Sequence, residues 1–299
     1  PFWNPYHCGG IVGVGNPQDT SLAPDFLLRL AFGTVVGRHL AVLLFFALGM
    51  EGLYRLARRH RASVTGAALA ALVWGVSGRL QNAVEHGHLN LLLIALVPWV
   101  LDAFERALHA PRPILVGGFL IAWMLLCGGT YTVPYTVQVL LVAAVYWSLR
   151  VAFIAEPATR GVSAARPWLV FAGVGGVAAA LGAVRLLPLA DVVLGAPRTV
   201  RGRQVASPER LIEALFEPSG QEYVGDGYVG VVVGAFAALA LLAGDRSGRF
   251  FGGAAAFFFA VALGEQHELA PYSLFAELPV FEQLRDPYRY VALVGVFLC

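Results

Sequence analysis

The chain has 299 residues, 58% hydrophobic and 13% charged, with a net charge of +2. Soluble domains carry about a quarter charged residues, so this composition excludes an ordinary water-soluble fold and makes lipid the solvent for much of the chain. All 21 basic residues are arginine and form no dense run, which argues against a nucleic-acid partner, and three scattered cysteines (Cys8, Cys127, Cys299) exclude a disulfide framework or a CxxC metal site.

The opening 1–30 is polar and punctuated by Gly and Pro, as expected of an outer loop with short helices lying at a membrane surface. Apolar runs follow at 32–56, 62–78, 89–104, 114–127, 133–154, 168–189, 229–243 and 250–263, and another begins near Tyr290. Soluble helices are not apolar on all faces so many times in succession. The expected fold class is therefore all-α: a polytopic transmembrane helical bundle with about eight complete spans and a truncated ninth. The expected organisation is one transmembrane domain over 1–299, cut at both ends, with outer loops at 1–30, 190–228 and 264–289.

Orientation follows from arginine counts in short loops. Arg55, Arg58, Arg59 and Arg61 lie between the first two runs, Arg106 and Arg112 after the third, Arg150, Arg160 and Arg166 after the fifth, and Arg246 and Arg249 after the seventh. These alternate loops fall on one side, expected to be cytoplasmic in a bacterial inner membrane. The opening, the His-containing loop and the two long loops then share the outer face.

That face holds most of the chemistry. The opening carries Trp3, Asn4, Tyr6, His7, Asn16, Gln18, Asp19 and Asp25, whose amides and aromatics suit a sugar or phosphate site, or equally an interfacial aromatic belt with turn residues. Its GGIVGVG run lacks a preceding strand and is not a dinucleotide fingerprint. In RLQNAVEHGHLN, Glu85, His86 and His88 are polar candidates. They would line up for a divalent metal only if Gly87 let the backbone extend, so no metal ligand is assigned. In FEQLRDPYRY, Arg285 and Arg289 flank Asp286-Pro287. They read either as a phosphate fork or as an Arg–Asp pair at a Pro-started helix. Arg185 lies near the outer end of the sixth run, where it either snorkels to the interface or takes Asp191 or a lipid phosphate as its partner. Glu51 with Arg55, and Asp102 with Arg106, have the i,i+4 spacing of helical ion pairs. Gly33/Gly37 and Gly252/Ala256 have small-xxx-small spacing, which signals helix packing.

Four segments, in order, carry a resemblance: PFWNPYHCGG…GNPQ…LAPDFLL, GHLNLLLIALVPWVLDAFERAL, GGTYTVPYTVQ and LRDPYRY. Together they resemble bacterial YfhO-like multi-span proteins, grouped with membrane glycosyltransferases of the GT-C fold. The resemblance implies transfer of a sugar from a polyprenyl-phosphate donor to a glycan or lipid acceptor at the outer face, without a nucleotide cofactor. The family's main acid follows a first span expected upstream of Pro1, so the catalytic base stays unassigned; Asp19 and Glu85 are candidates for a second acid. Arg285, Arg289 and Arg185 are the cations expected at the departing lipid phosphate. Trp3, Asn4, Asn16, Gln18, His86 and His88 are the other candidate substrate contacts. The rival classes are a transporter or flippase, for which Gly173, Gly175 and Gly176 are a potential break in the sixth span, and a non-catalytic envelope-assembly protein.

Overall fold

A computed structural model describes residues 3–4, 11–12, 16, 19–20, 22–154, 161–195, 206–217, 228–244, 246–265, 270–276, 278, 281, 284 and 286–299. The described residues are all-α apart from one short antiparallel pair, β1 (Trp3–Asn4) with β2 (Ile11–Val12), in an opening expected to hold loop and short helices. In chain order the helices are α1 (Phe26–Phe32), α2 (Thr34–Arg59), α3 (Val64–Gly75), α4 (Gly78–Glu85), α5 (Val97–Ala107), α6 (Pro113–Leu126), α7 (Thr132–Phe153), α8 (Arg166–Gly195), α9 (Pro208–Phe216), α10 (Val231–Ala243), α11 (Arg246–Ala262), α12 (Pro271–Ala276) and α13 (Val291–Leu298). Short 3-10 helices precede α5 at Leu89–Leu96 and α13 at Pro287–Tyr290.

Every apolar run read from the sequence is helical, but the lengths differ. Among the described residues, three helices are long and apolar enough to cross a membrane: Thr34–Arg59, Thr132–Phe153 and Arg166–Val192. At 1.5 Å per residue, a 26-residue helix reaches about 39 Å, more than the ~30 Å hydrocarbon core. Helix α3 has only 12 residues, about 18 Å, because the backbone turns at Val76–Ser77 before α4 starts. The run at 89–104 is divided between a 3-10 segment and α5, whose second residue is Pro98. Only 28% of the most apolar window of α8, and 33% of that of α2, is buried within the protein. Leu169, Leu181, Val184 and Leu187 of α8 are exposed. Apolar helices left uncovered on most of their surface require a lipid environment.

The chain divides into two compact units, Pro1–Leu48 with Leu89–Pro197, and Gly49–His88 with Arg198–Cys299, so α2 contributes to both. In the first unit, α6 packs against α8 through small residues. A Cβ at Gly118 would strike Val177, one at Gly117 would press on Val174, and one at Gly182 would meet Leu125. The Gly33/Gly37 pair does not form a packing motif, because Gly33 lies between α1 and α2 at φ 77°, where a Cβ would meet nothing within 4 Å. Gly37 alone is close-packed, and a Cβ there would strike the α1 backbone at Leu28 and Arg29. Helix α5 is almost wholly buried, and its exposed end carries the Arg106–Asp102 pair at 3.3 Å.

The second unit is held by aromatic packing. Phe258 of α11 stacks on Tyr290 at 6.3 Å and on Phe297 of α13 at 5.6 Å between centroids. The Tyr272 hydroxyl donates to the Leu284 carbonyl at 3.1 Å. Gly252 lies against Leu241, which brings α10 and α11 together as its spacing indicates. On α2, Arg55 donates to Glu51 at 2.6 Å, the expected i,i+4 pair.

Candidate functional site

Described residues of the opening meet α6 and α8 within the first unit. Asp25 and Arg29 sit at the start of α1, one turn apart, with 3.9 Å between their charged groups. Arg29 also donates to the Thr20 hydroxyl at 3.2 Å. At the end of α6, Cys127 is buried and its thiol donates to Asp25 Oδ1 at 3.1 Å, joining positions 102 residues apart. Gly128, with φ 75°, turns the chain sharply just beyond.

Arg185 of α8 is the centre of this constellation. Its side chain is 1% exposed, in a helix that continues past Pro188. Nη2 donates to the Asn16 carbonyl at 2.5 Å and to the Asp19 carbonyl at 2.7 Å. Nη1 has no hydrogen-bond partner among the described residues. Asp19 and Cys127 are near enough to act on Arg185 electrostatically. The partners of Arg185 are thus the opening segment rather than Asp191, because the guanidinium reaches sideways to the loop instead of along its own helix. An arginine binds an anion through paired donors. Here one amino group anchors the loop, and the other has no partner among the described residues in a buried setting, where a missing partner is costly.

The structure therefore brings together Asn16, Asp19, Asp25 and Arg185 from the sequence candidates, and adds Thr20, Arg29 and Cys127 around them. Trp3 and Asn4 are described only as strand backbone. Tyr6, His7, Gln18 and Arg285 lie outside the described residues.

The other candidates belong to the second unit. Arg289 is ion-paired to Asp286 at 3.0 Å, and Asp286 is 6% exposed. Pro287 starts the 3-10 turn that holds the two one turn apart. This is the Arg–Asp arrangement, in which the guanidinium already has an anion. Glu85, His86 and His88 are exposed. The extended backbone that would align the two histidines is not formed: His86 caps α4 at φ −85° and ψ 2°, and Gly87 turns the chain at φ 71°. The imidazole Nδ1 of His86 lies 3.1 Å from the Asn82 carbonyl oxygen. Among the described residues, no three His, Cys, Asp or Glu side chains gather in a way that could hold a metal.

Gly173, Gly175 and Gly176 lie inside the continuous helix α8, so the break that would favour transport is not there. Gly173 instead packs on Ile114 of α6. The involvement of Cys127 carried no sequence signal, since a lone cysteine in an apolar run reads as packing. In comparisons with known proteins, no family model, no curated protein and no solved structure matches this chain.

Proposed function

We propose that this chain is part of a multi-pass membrane glycosyltransferase of GT-C type in a bacterial inner membrane, with about eight complete spans. It transfers a sugar from a polyprenyl-phosphate donor to an envelope glycan or lipid acceptor at the outer face. The observation that carries this reading is Arg185: a buried cation in an apolar helix, with Nη1 unpaired among the described residues, set beside the polar opening. Ionisable groups at such depth mark sites of function. A lipid-linked phosphate supplies the anion that Nη1 lacks, and its polyprenyl chain matches the apolar flank of α8.

In the transfer, an acceptor hydroxyl oxygen attacks the anomeric carbon, the carbon–oxygen bond to phosphate breaks, and a carboxylate takes the acceptor proton. Arg185 stabilises the charge growing on the leaving phosphate. Asp19, whose charge acts on Arg185, is the described carboxylate best suited to the proton. Glu85 is exposed at the end of α4 in the other unit and is less suited.

The test is sugar transfer by the full chain in vesicles containing a radiolabelled polyprenyl-phosphate sugar. The Arg185→Ala variant is expected to lose about 10²–10³-fold in turnover, the usual cost of removing one oxyanion donor, while still inserting in the membrane. Unchanged turnover in that variant would reject the role of Arg185. Substrate flux without a new glycosidic bond would favour transport instead.

A further inference from the structure

The second unit contains a cavity of about 330 Å³, within the range of small-molecule sites. Its walls are apolar, including Leu53 and Leu56 of α2, Ala240 of α10 and Phe297 of α13. Its polar edge is formed by His60, Arg61 and Ser247. The His60 Nδ1 and the Ser247 hydroxyl are 3.1 Å apart, and the His60 ring packs edge-on against Phe251 at 4.8 Å. No acidic residue lines the cavity among the described residues.

Arg61 is the informative residue. Helix α2 ends in a Schellman turn, with the Ala62 N–H donating to the Ala57 carbonyl at 3.1 Å and the Arg61 N–H to the Arg58 carbonyl at 3.2 Å. The residue at the left-handed position of that turn is ordinarily glycine. Here it is Arg61, at φ 66°, the one non-glycine residue with positive φ among those described. Backbone held in a disfavoured region points to a demand on the side chain. The Arg61 side chain is exposed, lines the cavity, and belongs to the arginine-rich loop Arg55–Arg61 that the charge distribution places at one membrane surface. The Arg58 guanidinium is engaged with the Ala62 carbonyl at 2.6 Å, which leaves Arg61 to face a ligand.

We propose that this cavity holds one acyl chain of an anionic phospholipid from the leaflet on the arginine-rich side, with Arg61 gripping the headgroup phosphate. An apolar chamber with a cationic edge and no lining carboxylate complements that amphiphile, and an uncharged ligand leaves Arg61 unexplained. The site does not depend on the transfer reaction.

The experiment is native mass spectrometry of the full chain released from nanodiscs of 3:1 phosphatidylcholine to phosphatidylglycerol, and from phosphatidylcholine alone. One retained lipid per chain is expected, with phosphatidylglycerol favoured about tenfold, the value of one charge-assisted contact. The Arg61→Gly variant suits the turn better than arginine and is expected to fold at least as well. It should keep the lipid but lose the headgroup preference. The Ala240→Phe variant fills the chamber and should retain no lipid. An unchanged preference in Arg61→Gly, lipid retention at the wild-type level in Ala240→Phe, or no retained lipid in the wild type would each overturn the proposal.

Discussion

Two buried or half-buried arginines, one in each unit, meet their charge in opposite ways. Arg289 has a buried carboxylate, Asp286, 3.0 Å away. Arg185 has two backbone carbonyls on one amino group and no described partner on the other. A carboxylate offsets the charge of a guanidinium and occupies some of its five donors, whereas carbonyl dipoles orient the group and leave its net charge in place. The comparison teaches that a buried guanidinium can be met by a charge or by carbonyl dipoles, and that its place in the chain does not say which.

The largest effects should separate the two residues by readout. Arg289→Ala leaves Asp286 buried without its cation, and should lower stability by about 3–5 kcal/mol. The companion Asp286→Asn/Arg289→Ala double variant should recover part of that loss in a thermal-unfolding series. Arg185→Ala should act mainly on transfer and on the opening segment. Limited proteolysis is expected to cut within residues 13–25 faster in Arg185→Ala than in Arg289→Ala; equal rates would erase the contrast drawn here.

A smaller effect tests the scaffold under Arg185. Gly118→Leu drives a side chain into Val177 across the α6–α8 contact and should cost about 1–3 kcal/mol. It should also lower transfer by moving α8, whereas Gly253→Ala, where a Cβ meets nothing within 4 Å, should leave transfer unchanged. Ser63→Ala removes the cap that accepts the Gly66 N–H at 3.0 Å, at a cost of about 1 kcal/mol with no change in turnover.

The smallest effect is on pH dependence. The exposed carboxyl of Glu209, in the first turn of α9, is held below the usual carboxylate range by its own backbone N–H and by the Ser207 hydroxyl. A depressed folded-state value means that its contribution to α9 is complete above the unfolded-state pKa and is lost as pH falls through the lower, folded value. Backbone chemical shifts of α9 should therefore be flat near neutrality and move in the acid range. Glu209→Gln should remove that transition.

The sequence by itself indicated lipid as a solvent and helix as the main secondary structure, but not the β1–β2 pair or the breaks at Val76–Ser77 and before α5. Few charges and repeated apolar runs demand lipid and helices, and each such run is helical, because a backbone in apolar surroundings must satisfy its own hydrogen bonds. Local pairs were equally legible: Glu51–Arg55 and Asp102–Arg106 follow from helical spacing alone. Small-xxx-small spacing marked Gly37 and Gly252 as contact points without naming what they touch. Turn geometry was only half legible, since Gly87 allows both an extended and a left-handed backbone, and the end of α4 selected the latter. Tertiary structure alone decided the long-range pairings. Cys127 meets Asp25, and Arg185 meets the carbonyls of Asn16 and Asp19, across more than a hundred residues. Backbone carbonyls are common to all residues, so no side-chain pattern announces which of them a buried guanidinium will find. Only the packing of α6 and α8 against the opening brings them within reach.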